Sequence, residues 1–181
     1  GAGLNILNEN IAQEDNLELD FIFSYKISLG RGQISSGLSL GIHQAKLDGT
    51  RFIAASPGDP AIPSVTSQGS VFNLGGGFYY NSEDAYIGLS VSNLTEPTIE
   101  TEDFTKKLVR HYFLTSGYYF ELSNILSLNP SFFLKSDGVT SQMDINTNLI
   151  FNDRIWGGIS YRFGESIVVL SGMNITRDLK F

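Results

Sequence analysis

From Leu17 to Ile27 the chain reads LELDFIFSYKI, and every second position, Leu17, Leu19, Phe21, Phe23, Tyr25 and Ile27, is apolar. Glu18, Asp20, Ser24 and Lys26 fill most of the places between, which is the period-two pattern of an extended strand with two unlike faces. In a soluble sheet the apolar row packs on a core and the polar row meets water. In a membrane barrel the apolar row faces lipid and the polar row a wet lumen. The local pattern is the same in both, so the rest of the chain must decide.

The alternation recurs. Ile34, Leu38, Leu40 and Ile42 alternate with Gln33, Ser35, Gly37, Ser39, Gly41 and His43, and Ala85, Ile87, Leu89 and Val91 with Tyr86, Gly88, Ser90 and Ser92. Met143, Ile145, Leu149 and Phe151 alternate with Gln142, Asp144, Asn146 and Asn148, a nearly pure polar row. No long segment has a helical period. Strands are expected over residues 2–9, 16–28, 33–46, 70–80, 85–92, 108–121, 126–136, 142–151, 154–163 and 166–176. Residues 110–120 and 166–175 are apolar on both faces for part of their length, and there the period does not separate the faces. The fold class is all-β, and 1–181 reads as a single domain with no linker composition inside it.

No stretch approaches the roughly 18 uninterrupted apolar residues of a spanning helix, which excludes a helical membrane protein and leaves a barrel open. The connections favour the barrel. LGRGQ, NSED, ELSN and FNDR are tight polar turns, whereas the intervening links include the long segments 47–69 and 93–107. Short turns at one end and long loops at the other are the habit of outer-membrane barrels. Tyr25, Tyr79, Tyr80, Tyr86, Tyr118, Tyr119, Phe120, Phe151 and Trp156 fall near the short-turn end and suggest an aromatic girdle. About ten long strands enclose an interior wider than Gly, Ser and Asn fill by apolar packing, so the pattern points to an antiparallel up-and-down transmembrane β-barrel with a polar lumen. A soluble double sheet or lipocalin-like cup is the rival. The chain opens at GAGLNILNEN and stops at RDLKF as another alternation begins. Strands beyond both ends are therefore expected, and a targeting signal is either absent or removed.

Composition removes several function classes. The absence of cysteine excludes disulfide scaffolds, thiolate metal sites and thiol nucleophiles. A net charge of −7, with twelve Lys and Arg and no basic run, argues against nucleic acid as a partner. His43 and His111, the only imidazoles, lie on different strands without HxH or HExxH spacing. A zinc site there would need carboxylates for its remaining ligands, so neither a metal site nor a cofactor is expected. Serine is too abundant for any Ser, His and acid set to stand out, and no catalytic residue is assigned. Gly75-Gly76-Gly77 lacks the following helix and Lys-Ser/Thr of a phosphate loop and reads as a strand bent or closely approached. SPGDPAIP at 56–63 reads as a loop stiffened by proline.

On this reading Glu18, Asp20, Lys26, His43, Lys135, Asp144 and Arg162 line the lumen among many Ser, Asn and Gly. Their mixed signs do not make the single-sign ring of an ion-selective constriction. Leu17, Leu19, Phe21, Phe23, Leu38, Leu40, Ile87 and Leu89 are the expected lipid-facing residues.

Particular phrases go beyond periodicity. VRHYFLTSGYYFELSNILSLNPSFFLKS at 109–136 and INTNLIFNDRIWGGISYRFGESI at 145–167 resemble the PorP/SprF family of the type IX secretion system. GLNILNENI, FIFSYKISLGRGQISSGLSLGI and FYYNSEDAYIGLSVSNL fit the same family in the same order. The most specific pieces are Arg110-His111-Tyr112-Phe113-Leu114-Thr115, Pro130-Ser131-Phe132 and Asp153-Arg154-Ile155-Trp156. The resemblance implies a non-enzymatic β-barrel in the outer membrane of a Gram-negative bacterium, serving protein secretion and, in some members, gliding motility. It implies as partners a secreted surface protein such as an adhesin, held through its C-terminal domain, and periplasmic or outer-membrane components of the machine. A porin or small-molecule transporter is the alternative reading.

Overall fold

The computed structural model describes residues 1–52 and 63–174. In chain order its strands are β1 (Ala2–Ile11), β2 (Glu14–Leu29), β3 (Gly32–Asp48), β4 (Thr66–Asn81), β5 (Ala85–Ser92), β6 (Thr98–Glu100), β7 (Thr105–Lys107), β8 (His111–Tyr118), β9 (Phe120–Ser123), β10 (Leu126–Ser136), β11 (Ser141–Phe151), β12 (Ile155–Arg162) and β13 (Ser166–Met173). A single 3-10 turn, Gly49–Arg51, follows β3. No helix among the described residues is long and apolar enough to cross a membrane. The segment SPGDPAIP, apart from Pro63, and the chain from Ile175 lie outside the described residues.

The strands form one antiparallel up-and-down sheet in the order β1-β2-β3-β4-β5-β8-β10-β11-β12-β13, with β9 also pairing β10. Turn chemistry explains the sharp reversals. Asn152 and Asp153, between β11 and β12, both take left-handed backbone angles that Asn and Asp tolerate better than other side chains. The expected strand 108–121 begins at His111 and breaks at Tyr119, whose backbone N–H leaves the ladder to bond the Asp84 carbonyl at 2.6 Å. Segment 93–107, expected as plain loop, contains the separate hairpin β6–β7. Strands of three residues are too short to show a period.

The glycine run lies within β4. A Cβ on Gly77 would meet the Leu89 carbonyl oxygen at 2.6 Å and Ser90 Cα at 3.1 Å, so here glycine is what lets β5 approach.

Burial is inverted relative to a soluble domain. Among the described residues the buried hydrophobics are Ala45 and Ile99, whereas Asp20, Asn73, Asn129, Asp144 and Ser160 are buried polar residues. Large apolar side chains stand outward: Phe72 is 81% exposed, Val169 79%, Ile167 69% and Leu38 66%. A water-soluble protein of this size would place these two sets the other way round.

The chain divides into two compact units, the first made of Gly1–Tyr25, Gly37–Gly76 and Ser92–Arg110, the second of Lys26–Ser36, Gly77–Val91 and the chain from His111. Strands β2 to β5 contribute residues to both.

Candidate functional site

In the first unit the polar row of β2 starts a network. Glu18 and Asp20, two residues apart, share a face. Asn5 stands directly opposite Asp20 on β1, and its Nδ2 lies 3.4 Å from Asp20 Oδ2. Strand β3 adds His43, whose Nε2 is 3.4 Å from Glu18 Oε1. A Cβ at Gly41 would overlap the Asp20 carboxylate, so glycine opens the space that Asp20 fills. Asn73 of β4 sets its Nδ2 3.1 Å from His43 Nε2 and donates to Asn93 Oδ1 at 2.8 Å. Asn93 in turn donates to the Val109 carbonyl at 2.8 Å. The network thus runs from the sheet into the base of the long loop after β5.

That loop folds over the polar face. Lys106 on β7 reaches Glu14 Oε2 and Asn16 Oδ1 of β2, each at 2.9 Å. Ile99 on β6 is 2% exposed and packs against Gly69, where any Cβ would displace it. Between hairpin and strands lies a cavity of about 220 Å³ lined by Glu9, Glu18, His43, Asn93, Ile99 and Lys106, among others. The loop is fastened internally as well: Glu96 pairs with Lys107 at 3.3 Å and accepts from the Arg110 backbone N–H at 3.4 Å, and the Arg110 guanidinium donates to the Leu94 carbonyl at 2.7 Å. The Lys107 ammonium, foremost, holds the Glu96 carboxyl below the usual carboxylate range, so this fastening stays ionised at neutral pH.

At the ends of β2 and β3 the outward row becomes charged. Asp15 has the parity of Leu17 but pairs with Lys46 at 3.7 Å and Arg51 at 3.9 Å, and Arg51 also pairs with Asp48 at 3.0 Å. The apolar face of β2 therefore ends at Leu17.

In the second unit Asp144 and Arg162 stand directly opposite on β11 and β12 and meet by two hydrogen bonds, 3.0 Å from Nε and 3.2 Å from the terminal nitrogen. Lys135 lies 6.0 Å from the centroid of the Phe113 ring. Lys26 is exposed. In the turn after β10, the backbone N–H groups of Thr140 and Val139 hold the Asp137 carboxyl down at about 2. Tyr79, Tyr86 and Tyr119 form a row at successive centroid distances of 6.2 Å, the first pair stacked and the second tilted, and Tyr86 covers Gly117. Tyr86 shares the strand face of Gly88 and Ser90, so this row belongs to the small and polar side of β5 rather than to an outward girdle.

Of the residues singled out in the sequence, Glu18, Asp20 and His43 come together and Asp144 meets Arg162, while Lys135 lines a cavity with Gln142 and Glu165. Leu17, Phe21, Phe23, Leu38, Leu40, Ile87 and Leu89 are exposed, and Leu19 is half-buried. Asn73, Asn93, Gly41 and Lys106 escaped the sequence reading. Asn73 had a usable signal, a polar residue between the outward Phe72 and Leu74.

An up-and-down antiparallel sheet with buried polar and exposed apolar side chains defines a membrane protein of the β-barrel type. The chain belongs to the PorP/SprF family: the model of the type IX secretion system membrane protein PorP/SprF matches residues 1–181, the whole sequence. It is thus a membrane component of type IX secretion, located in the outer membrane. A search of curated proteins found no match to the chain.

Proposed function

We propose that this protein is a non-enzymatic outer-membrane barrel that anchors, or helps to export, a cell-surface protein such as an adhesin through that protein's C-terminal domain, in secretion or gliding motility. The long links expected at 47–69, which the structure narrows to the connection between Asp48 and Thr66, and at 93–107 face the cell exterior, and periplasmic components of the secretion machine meet the short-turn end. Glu18, Asp20, Lys26, His43, Lys135, Asp144 and Arg162 line the lumen, and Leu17, Leu19, Phe21, Phe23, Leu38, Leu40, Ile87 and Leu89 face lipid. The supporting observation is the hairpin β6–β7. It lies on the polar face with Ile99 buried and Lys106 tied to Glu14 and Asn16, which suits a contact surface organised for a partner better than the bare wall of a diffusion pore.

Affinity purification of the tagged protein from its own membrane in mild detergent is expected to recover a surface-protein C-terminal domain or a periplasmic ring protein, and the purified protein in a planar bilayer should show no steady conductance. Repeated recovery of the bare barrel with a steady open channel would instead favour a porin.

A further inference from the structure

We propose that the β6–β7 hairpin is a hinged strap that opens and closes over the polar face of β2, β3 and β4. The hairpin is anchored on the outer two of these neighbours. Lys106 on β7 reaches Glu14 and Asn16 of β2, each at 2.9 Å. On β4, Ile99 of β6 occupies the space that a side chain at Gly69 would take, and the Ser67 hydroxyl donates to the Asp103 carboxylate in the hairpin turn. Strand β3 runs between β2 and β4, and its Ala45, 4% exposed, lines the cavity under the hairpin with Ile99 and Lys106.

What holds the strap differs from what holds the strands. β6 and β7 make a two-stranded sheet of their own, so no ladder of backbone hydrogen bonds ties them to the floor. The fastenings are side chains: Ile99, the Asp103 contact with Ser67, and a Lys106–Glu14 pair open enough to solvent for water and salt to weaken it. The base of the strap, by contrast, is bonded to the main sheet. The Leu94 backbone N–H donates to the Leu74 carbonyl at 2.8 Å, and the side chains of Asn93 and Arg110 donate to the Val109 and Leu94 carbonyls. A segment firm at its base and lightly held along its length moves as a unit.

The backbone marks the hinge. Glu96, between the base and β6, has φ of 47°, a left-handed conformation that glutamate seldom adopts. Lys107 at 3.3 Å and the Arg110 backbone N–H at 3.4 Å keep it there. Such strain persists only where the surroundings impose it, and it gathers at segments that switch. Swinging the strap outward relieves Glu96, frees Ile99 and uncovers the cavity wall carrying Glu18, His43 and Asn93. Closure therefore rests chiefly on one apolar side chain.

The test reads the strap without any partner, so its outcome is separate from that of the purification and bilayer experiments on the anchoring role. The full-length protein in detergent carries Ala45→Cys as a reporter beneath the strap or Val139→Cys, at a position 92% exposed, as a reference. A small water-soluble maleimide is expected to react about ten- to a thousandfold more slowly at the reporter, as for an open state populated at about 0.1–10%. Adding Ile99→Asp should speed the reporter about tenfold or more and leave the reference unchanged. A reporter as fast as the reference has no cover, one that does not react at all has a fixed cover, and one that Ile99→Asp leaves slow is not covered by the strap; each result overturns the proposal. Should Ile99→Asp fail to assemble, as judged by heat-modifiable gel mobility, Lys106→Gln is expected to speed the reporter about twofold or more, and an unchanged rate overturns the proposal.

Discussion

Replacing Phe21 by arginine is expected to deplete the assembled protein from the outer membrane, at a cost of about 2–4 kcal/mol for a guanidinium on the lipid face near the bilayer midplane. Phe21 is half exposed and stands opposite Leu4 on β1, within an outward row that runs from Leu17 through Phe23. Nothing polar on that row offers the guanidinium a partner, and the row becomes charged only at Asp15. Phe21→Leu keeps the apolar surface and is expected to assemble normally. Heat-modifiable gel mobility of membrane extracts, followed by urea unfolding in lipid vesicles, measures both. Equal levels of the arginine and leucine variants would return the outward row to water.

Gly77→Val carries the second large effect, about 1–3 kcal/mol of overpacking. The obstruction is backbone, the Leu89 carbonyl and Ser90 Cα, so the added methyls have no rotamer that avoids it and β4 must part from β5. Gly157→Val is the matched control. A Cβ there meets nothing closer than the Leu170 carbonyl at 3.9 Å, and the better strand propensity of valine makes the change neutral or mildly stabilising. Urea midpoints of the two variants in the same vesicles separate close approach from glycine's general weakness in strands. Equal midpoints would mean that the β4–β5 spacing is not set by Gly77.

Much of the fold was legible because a two-faced strand declares itself over many residues. LELDFIFSYKI and QMDINTNLIF each carry enough alternation to fix strand and faces together, and polar turns such as FNDR mark the reversals. The β6–β7 hairpin was not legible, since Thr98–Glu100 and Thr105–Lys107 are too short for a period and Ile99 reads locally as one apolar residue in a polar loop. The break at Tyr119 follows from a backbone bond to Asp84, a partner that local sequence does not name.

The polar cluster was half legible. Glu18, Asp20 and His43 could be assigned to polar rows one strand at a time, but their meeting depends on how β2, β3 and β4 are staggered, and stagger is written in no single strand. Asp144 and Arg162 illustrate the same limit, eighteen positions apart in the chain and brought together by one hairpin. The aromatic residues mislead for a related reason. Tyr79, Tyr86 and Tyr119 cluster in sequence near tight turns, as a girdle would, and only the strand parity of Tyr79 and Tyr86, with the ring contact of Tyr119 to Tyr86, puts them on the other face.

The inverted sheet can be tested directly because the chain has no cysteine of its own. Single cysteines placed at Leu17, Glu18, Leu19, Phe21, Ile22, Phe23 and Ser24 in the intact outer membrane should react with a small water-soluble maleimide at Glu18, Ile22 and Ser24 and stay protected at Leu17, Leu19, Phe21 and Phe23. Uniform labelling, or labelling with the opposite phase, would contradict the account.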